Sequence, residues 1–595
     1  MIDNIFGDQI QPEHRLAAHR KILSGVHHFN QTSPLDPLPG QAITLSLTTA
    51  GDIPFDSVRC QYTLDDSDPQ NPAATLSELT PGEISWDEVD WIYVRHWSMT
   101  LPPQPEGTMI HYLLSAHITG SDEWQFADNQ ARSADDASRF ALFVANDPPP
   151  QWAKKAIVYH VFMDRYYPGD GKTWRKTASL ADFHGGTLRG VIDKLDTIQG
   201  LGFNTIWLSP FLKSSSHHGY NASDYYSVEP RLGSQTDLQE LLEKAHARGL
   251  HMIMDFVANH WSREHATFQD ALHNPASPYH DWYTWRHWPD DYETYYNVKD
   301  LPKINLAAAP ARDEMLKIAR HWLAAGFDGY RLDHANGPSH DFWAHFRRAC
   351  RQLKPDCWLF GEVVQNAAIQ RSFAGRLDGT LDFLLARAVR ETFAFERMTL
   401  NEFESFLSKH ESFFPPDFSR PAFLDNHDMS RFYYIAGGKK SRLKLAALLL
   451  YTLAGPPIVY NGTESGLSQD RPMQQGNRYI FEEARKPMNW NDQDQELLAY
   501  FKMLNELRAA HPVLVNGKRT TLHLDSGNGT YAFSRSDPSG TVLVAFNLSR
   551  SAQTVTIATP GIPDGARERL NNLSLSFQPA SVSLTLPAQS AALII

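Results

Sequence analysis

Between residues 155 and 510, short apolar runs recur between segments with helical spacing. The runs are IVYHVFM (157–163), FNTIWLS (203–209), HMIMDFV (251–257), FDGYRLD (327–333), WLFGE (358–362), GTLDF (379–383), AFLDNHD (422–428) and PIVY (457–460). Helical patterns lie at 188–200, 236–248 and 311–325, and between most of the later runs. Nearly continuous apolar strands mark a sheet buried on both faces, and their alternation with helices predicts parallel βα units. Eight strands over about 350 residues predict an α/β fold, a (β/α)8 TIM barrel rather than an open sheet.

The flanks carry a different pattern. From about 40 to 146, the runs AITLSLTTA, VRCQYTL, WIYVRHWSMTL, MIHYLLSAHI and SRFALFVA alternate with Gly, Pro, Asp and Ser clusters and predict an N-terminal β-sandwich. A short amphipathic helix over 11–26 precedes it, and NDPPPQW (146–152) reads as a stiff linker. After Pro512, about six short strand-like runs from TLHLDS to AALII predict a C-terminal β-sandwich. The expected units are 1–150, 151–512 and 513–595, with an inserted loop domain at about 260–305. That insert, between the third strand and its helix, is rich in Trp, Tyr, His and Asp, and loops of such length are usually functional.

Composition narrows the classes. The chain has 595 residues, 42% hydrophobic and 21% charged, enough for a large core. A formal net charge of −13 argues against nucleic acid or an anionic membrane as partner. Cys60, Cys350 and Cys357 are too few and odd in number for a disulfide framework and read as buried thiols. The first residues lack a basic segment followed by an apolar one, and runs such as 445–454 are too short to span a bilayer. A cytoplasmic enzyme with no membrane partner is the expectation.

Candidate chemistry sits where a TIM barrel places it, at the C-terminal ends of strands: Asp255, Asp333, Glu362 and Asp428. A lone carboxylate there is often a loop cap or half of an ion pair. Four on four strand ends form a constellation. Asp333 and Glu362 end consecutive strands, and neighbouring strands lie about 4.8 Å apart, close to the ~5–5.5 Å between the two carboxyls of a retaining glycosidase. Arg331, two residues before Asp333, points to the same side of its strand.

DFVANH (255–260), GYRLD (329–333), FGEVV (360–364) and FLDNHD (423–428) resemble, in order and spacing, the four signatures of the α-amylase superfamily, glycoside hydrolase family 13. The stretches 186–210, HGYNASDYYSVEPRLGS (218–234), GPPIVYNGTESGL (455–467) and ARKPMNW (484–490) are similar to other parts of that family, so the resemblance covers roughly 155–595. YETYYNVKD (292–300), LPKIN (301–305) and the preceding β-domain are similar to the neopullulanase, cyclomaltodextrinase and maltogenic amylase branch.

The resemblance implies roles. Asp333 would be the nucleophile, Glu362 the acid/base, and Asp428 the acid that binds sugar hydroxyls and steadies the distorted ring. Tyr220 would stack under that sugar, although an aromatic at a strand edge is commonly packing. His260 and His427 would hydrogen-bond hydroxyls, the fixed cation of Arg331 would keep Asp333 ionised and aligned, and Asp255 would organise the site through Arg331 and a sugar hydroxyl. Arg431 either reaches the site or pairs with an acid.

Asn259 resembles a calcium-ligand position of many α-amylases, yet no dense Asp/Asn cluster marks a calcium loop. A structural calcium is not predicted, and the chemistry requires no cofactor. DHANGP (333–338) departs from the branch: His334 and Gly337 replace a small apolar and an acidic residue, at positions that would lie beside the acceptor subsites. Linkage preference therefore stays open. Trp86, Trp91, Trp97 and Trp124 could stack on glucan or simply pack the N-terminal domain. In this branch that domain often covers a partner's active site, which implies a homodimer.

The expected activity is hydrolysis of maltooligosaccharides, cyclodextrins or related α-glucans. A transglycosylase or isomerase using the same intermediate is the alternative, and a non-catalytic amylase-like binding protein the remote one.

Overall fold

The computed structural model describes residues 12–51, 53–476, 478–558 and 565–595. Eight parallel strands form the predicted barrel: β1 (Val158–Val161), β2 (Thr205–Leu208), β3 (His251–Val257), β4 (Gly329–Asp333), β5 (Trp358–Gly361), β6 (Gly379–Thr380), β7 (Ala422–Phe423) and β8 (Pro457–Tyr460). Their order is β6-β5-β4-β3-β2-β1-β8-β7. A parallel bridge from Gly379 to Ser419, with Asp382 N donating to the Pro421 carbonyl (2.9 Å), ties β6 to the segment entering β7.

The two-residue period of the strands explains the two cores. Val158, Trp207, Ile253, Trp358, Phe360 and Ile458 pack together inside the barrel. Alternate residues such as Tyr159, Ile206, Met252, Met254 and Leu332 pack outward against the helices. The same alternation carries the inward-facing series to Asp255, Arg331 and Asp333 at the strand ends. The acids therefore rise from an apolar floor.

Two five-stranded sheets form the N-terminal domain, and Ile43, Leu45, Leu47 and Trp97 of one meet Val58, Cys60, Ile110 and Leu114 of the other. Five strands were not anticipated: Val26–His27, Thr32–Ser33, Thr75–Glu78, Thr80–Asp87 and Trp124–Phe126. TPGEISWD contains Pro and Gly and lies mostly exposed at a sheet edge, so it shows no alternation to read. The leading helix runs Pro12–Leu23 and stops ahead of Gly25, whose φ is +85°. The C-terminal domain has a four-stranded and a three-stranded sheet around a shared core. All three cysteines are free and buried.

The N-terminal domain docks on the helix that follows β4, His340–Leu353. Ala344 packs among Met109, Ala141 and Phe143, and Arg347 bonds to Asp36 and Asp147. The expected insert holds one α-helix, Ala266–His273, and an aromatic cluster of Trp261, Phe268, Trp282, Tyr283 and Tyr292. No helix among the described residues is long and apolar enough to cross a membrane.

Candidate active site

A cavity of about 240 Å³ opens at the C-terminal ends of the barrel strands. Asp333, Glu362 and Asp428 line it, with Tyr220, His218 and Arg485 beside them and Tyr295, Tyr296 and Phe481 as an aromatic rim. Strand register creates the centre. Arg331 on β4 lies opposite Asp255 on β3 and is two residues from Asp333, so the three side chains share one face.

The Arg331 guanidinium organises the acids. Nη1 donates to Asp255 Oδ1 (2.6 Å) and to Asp333 Oδ1 (2.8 Å), and Nη2 lies 2.7 Å from Glu362 Oε1. Glu362 Oε2 accepts from the His334 backbone N–H (3.0 Å). One guanidinium fork thus gathers Asp333 and Glu362. Exposure sorts roles: the Asp333, Glu362 and Asp428 side chains are 10%, 13% and 28% exposed, whereas Asp255 and Arg331 are at 0% and cannot touch a sugar.

Asp428 is held by a second cation. Arg485 Nη2 donates to its Oδ1 (2.6 Å), and His427 Nε2 lies 2.9 Å from its Oδ2. Tyr220 Oη donates to Asp255 Oδ2 (3.0 Å) and sits 2.7 Å from His427 Nε2, with the two rings stacked at 5.3 Å.

Burial separates the acids electrostatically. It raises the Asp333 carboxyl, aided by the charges of Asp255 and Asp428 and opposed by Arg331. It raises Glu362 too, with Asp333 and Asp428 adding to it against Arg331. Burial also works to raise Asp428, but His427, Arg485 and Arg331 outweigh it and hold that carboxylate well below its ordinary range. His218 and His260 are pushed down to about 3 by burial, so both rings are neutral.

Eight of the nine residues singled out from the sequence fall into three groups. Asp333, Glu362, Asp428 and Tyr220 line the cavity. Asp255, Arg331 and His427 lie buried beneath them and fix their positions. His260 sits behind Tyr220, with Nε2 at 3.2 Å from its backbone carbonyl.

Arg431 points elsewhere. Nε donates to the Ala484 carbonyl and Nη1 to the Asn461 carbonyl, both at 2.9 Å, and the guanidinium lies 3.8 Å from the Tyr460 ring centre. It braces the loop after β8 instead of reaching the cavity or pairing with an acid. The second cation of the site, beside Arg331, is Arg485, 57 residues from Asp428 in sequence. Its signal was its place in ARKPMNW, but nothing local ties that stretch to Asp428.

His334 lines the cavity with φ +42°, a strained backbone for a bulky residue, directly after Asp333. Tyr295 and Tyr296 meet its ring edge-on at 4.8 and 5.3 Å. Gly337 lies outside this cavity, against Asn259. Asn259 Oδ1 is buried without a hydrogen-bond partner, and Nδ2 is 3.2 Å from His260 Nδ1. One amide oxygen does not make the multi-oxygen cage that calcium takes, so no step is assigned to a metal here.

A parallel eight-stranded barrel with buried carboxylates clamped by one arginine at its strand ends defines an α-amylase-type glycosidase. Residues 160–517 match the α-amylase catalytic domain, and the chain belongs to that family of glycoside hydrolases. It is 32% identical over 556 residues to α-amylase 2 of Dictyoglomus thermophilum, spanning 92% of each chain. It is 31% identical to a cyclomaltodextrinase of a Bacillus species, over 73% of this chain and 80% of that one. A solved cyclomaltodextrinase superposes with a TM-score of 0.70 at 26% identity, over 96% of this chain and 99% of that one.

Proposed function

We propose that the chain is a retaining hydrolase of α-glucosidic linkages, mainly α-1,4, in maltooligosaccharides, cyclodextrins or related α-glucans. The observation that carries the reading is the single Arg331 guanidinium holding Asp333 through Nη1 and Glu362 through Nη2. Two carboxyls gathered by one guanidinium suit attack on the anomeric carbon by Asp333 beside a proton-donating Glu362. Glu362, raised by burial, protonates the leaving oxygen and then deprotonates the incoming water. Asp428, ionised and open to the cavity, binds sugar hydroxyls while Arg485 and His427 hold it in place. Relatives named cyclomaltodextrinase and neopullulanase support the substrate class.

NMR of the first-formed product from maltotriose and β-cyclodextrin tests the mechanism: the α-anomer is expected, and an initial β-anomer refutes it. Added acceptor sugar measures how much of the glycosyl-enzyme goes to transfer instead of water.

A homodimer through the N-terminal domain belongs to the same reading. Its support is an exposed aromatic strip of Trp86, Trp91 and Tyr93, left over after Trp97 enters the core and Trp124 stacks under Arg59. Sedimentation of the wild type against Trp91→Ala tests it.

A further inference from the structure

Away from the cavity, where the N-terminal domain meets helix His340–Leu353, Asp66, His111 and His345 each bring one ligand atom within 4.8 Å of the others. Asp66 follows strand Phe55–Thr63, and His111 lies on strand Met109–Ile118 of the same domain. His345 Nε2 is 2.9 Å from Asp66 Oδ1, and His111 Nε2 is 3.7 Å from the same oxygen.

The other nitrogen of each ring decides what this cluster can do. His345 Nδ1 lies 2.8 Å from the Asp341 carbonyl and His111 Nδ1 3.3 Å from the Ser67 carbonyl. A carbonyl only accepts, so both Nδ1 atoms carry the proton and, in the neutral rings, both Nε2 atoms present lone pairs. Two lone pairs therefore converge on a carboxylate oxygen. His111 is 8% exposed, and its Nε2 has no hydrogen-bond partner. Imidazoles whose Nδ1–H is tied to a backbone carbonyl are in the orientation that metal-binding histidines adopt. Arg348 pairs with Asp66 Oδ2, which fixes the carboxylate and leaves Oδ1 for the cluster.

The geometry points to a divalent transition-metal site of the zinc class, with His111 Nε2, His345 Nε2 and Asp66 Oδ1 as ligands and water as the fourth, clamping the N-terminal domain to the barrel. Tetrahedral bonds of about 2.0–2.1 Å put ligand atoms about 3.3 Å apart, and the 2.9 and 3.7 Å separations bracket that edge. Two imidazoles with one carboxylate favour zinc, cobalt, nickel or copper over calcium or magnesium. A proton on His345 is the rival occupant. It satisfies the His345–Asp66 contact but leaves His111 Nε2 unpartnered.

The test uses the full chain after dialysis against chelator, titrated calorimetrically with Zn²⁺ and followed by absorption with Co²⁺. Expected are one ion per chain with Kd below about 10 μM, an intense four-coordinate Co²⁺ spectrum, and a thermal midpoint that rises with Zn²⁺. His111→Gln and His345→Gln should each lose at least tenfold in affinity and lose the midpoint rise, while metal-free hydrolysis stays near wild type. Glu362→Gln should bind Zn²⁺ as the wild type does, placing the ion outside the cavity. Should a histidine variant fail to fold, nitrogen hyperfine structure from two imidazoles in the Cu²⁺-loaded wild type carries the test. Equal Zn²⁺ affinity in folded variants and wild type, wild type without micromolar binding, or a Cu²⁺ spectrum lacking two nitrogens overturns the site.

Discussion

Replacing Asp333 with Asn should abolish turnover and, at neutral pH, make the protein more stable. The Asp333 carboxyl is pushed up from its ordinary 3.8 to about 7, chiefly by burial, with Asp255 and Asp428 adding to it and Arg331 only partly compensating. Between those two values the folded chain keeps a proton that the unfolded chain has released. The stability this confers is fully present below about pH 4 and is lost as pH rises through 7. Above 7 the wild type carries a buried charge that Asn does not. At about 1.4 kcal/mol per pH unit the difference is on the order of 4 kcal/mol at most, or a rise of several degrees in thermal midpoint. The assay is calorimetric melting of wild type and D333N from pH 4 to 8, beside hydrolysis of maltotriose. The midpoint difference should be small at pH 4 and grow towards pH 8, with activity below a few per cent throughout. A variant no more stable than wild type at pH 8, or a difference flat with pH, would show that Arg331 fully compensates the charge and that Asp333 is not held at an electrostatic cost.

Gly337→Ala should lower the thermal midpoint by about 1–3 kcal/mol equivalent, because its Cβ would lie 2.2 Å from Asn259 Oδ1 and 2.7 Å from His334 Cδ2. Gly337→Glu should therefore lose stability and both α-1,4 and α-1,6 cleavage of panose together; a well-folded Glu variant with an altered linkage ratio would contradict this packing argument. Arg485→Ala should reduce kcat/KM about 10–100-fold, the worth of one charged hydrogen bond, and shift the acid limb of the pH–rate profile upward as Asp428 loses its partner; an unmoved profile would remove Arg485 from the site. Arg431→Lys should leave KM within twofold while costing about 2–3 kcal/mol of stability, since its partners are carbonyls and the Tyr460 ring; a selective rise in KM would place it at the substrate after all.

The barrel was legible because its strands are apolar on both faces and recur with helices between them, a pattern that few folds other than parallel ones tolerate. The same two-residue period puts Arg331 and Asp333 on one face, and the strand ends single out Glu362 and Asp428. The edge strand Thr80–Asp87 was not legible, since an exposed strand with Pro and Gly owes its pairing to a neighbour and not to its own pattern. Nor could sequence separate Arg431 from Arg485. Both are arginines in family-like motifs, and which one meets Asp428 depends on how the loop after β8 folds back over the barrel. Gly337 was read as an acceptor-side position, and only packing against Asn259 showed that space requires the glycine. The cluster of Asp66, His111 and His345 spans the N-terminal domain and the helix after β4, with no spacing that a motif could carry. Periodicity reports what each segment buries. Which distant side chains face one another is set by docking between segments, and that is a property of the folded chain alone.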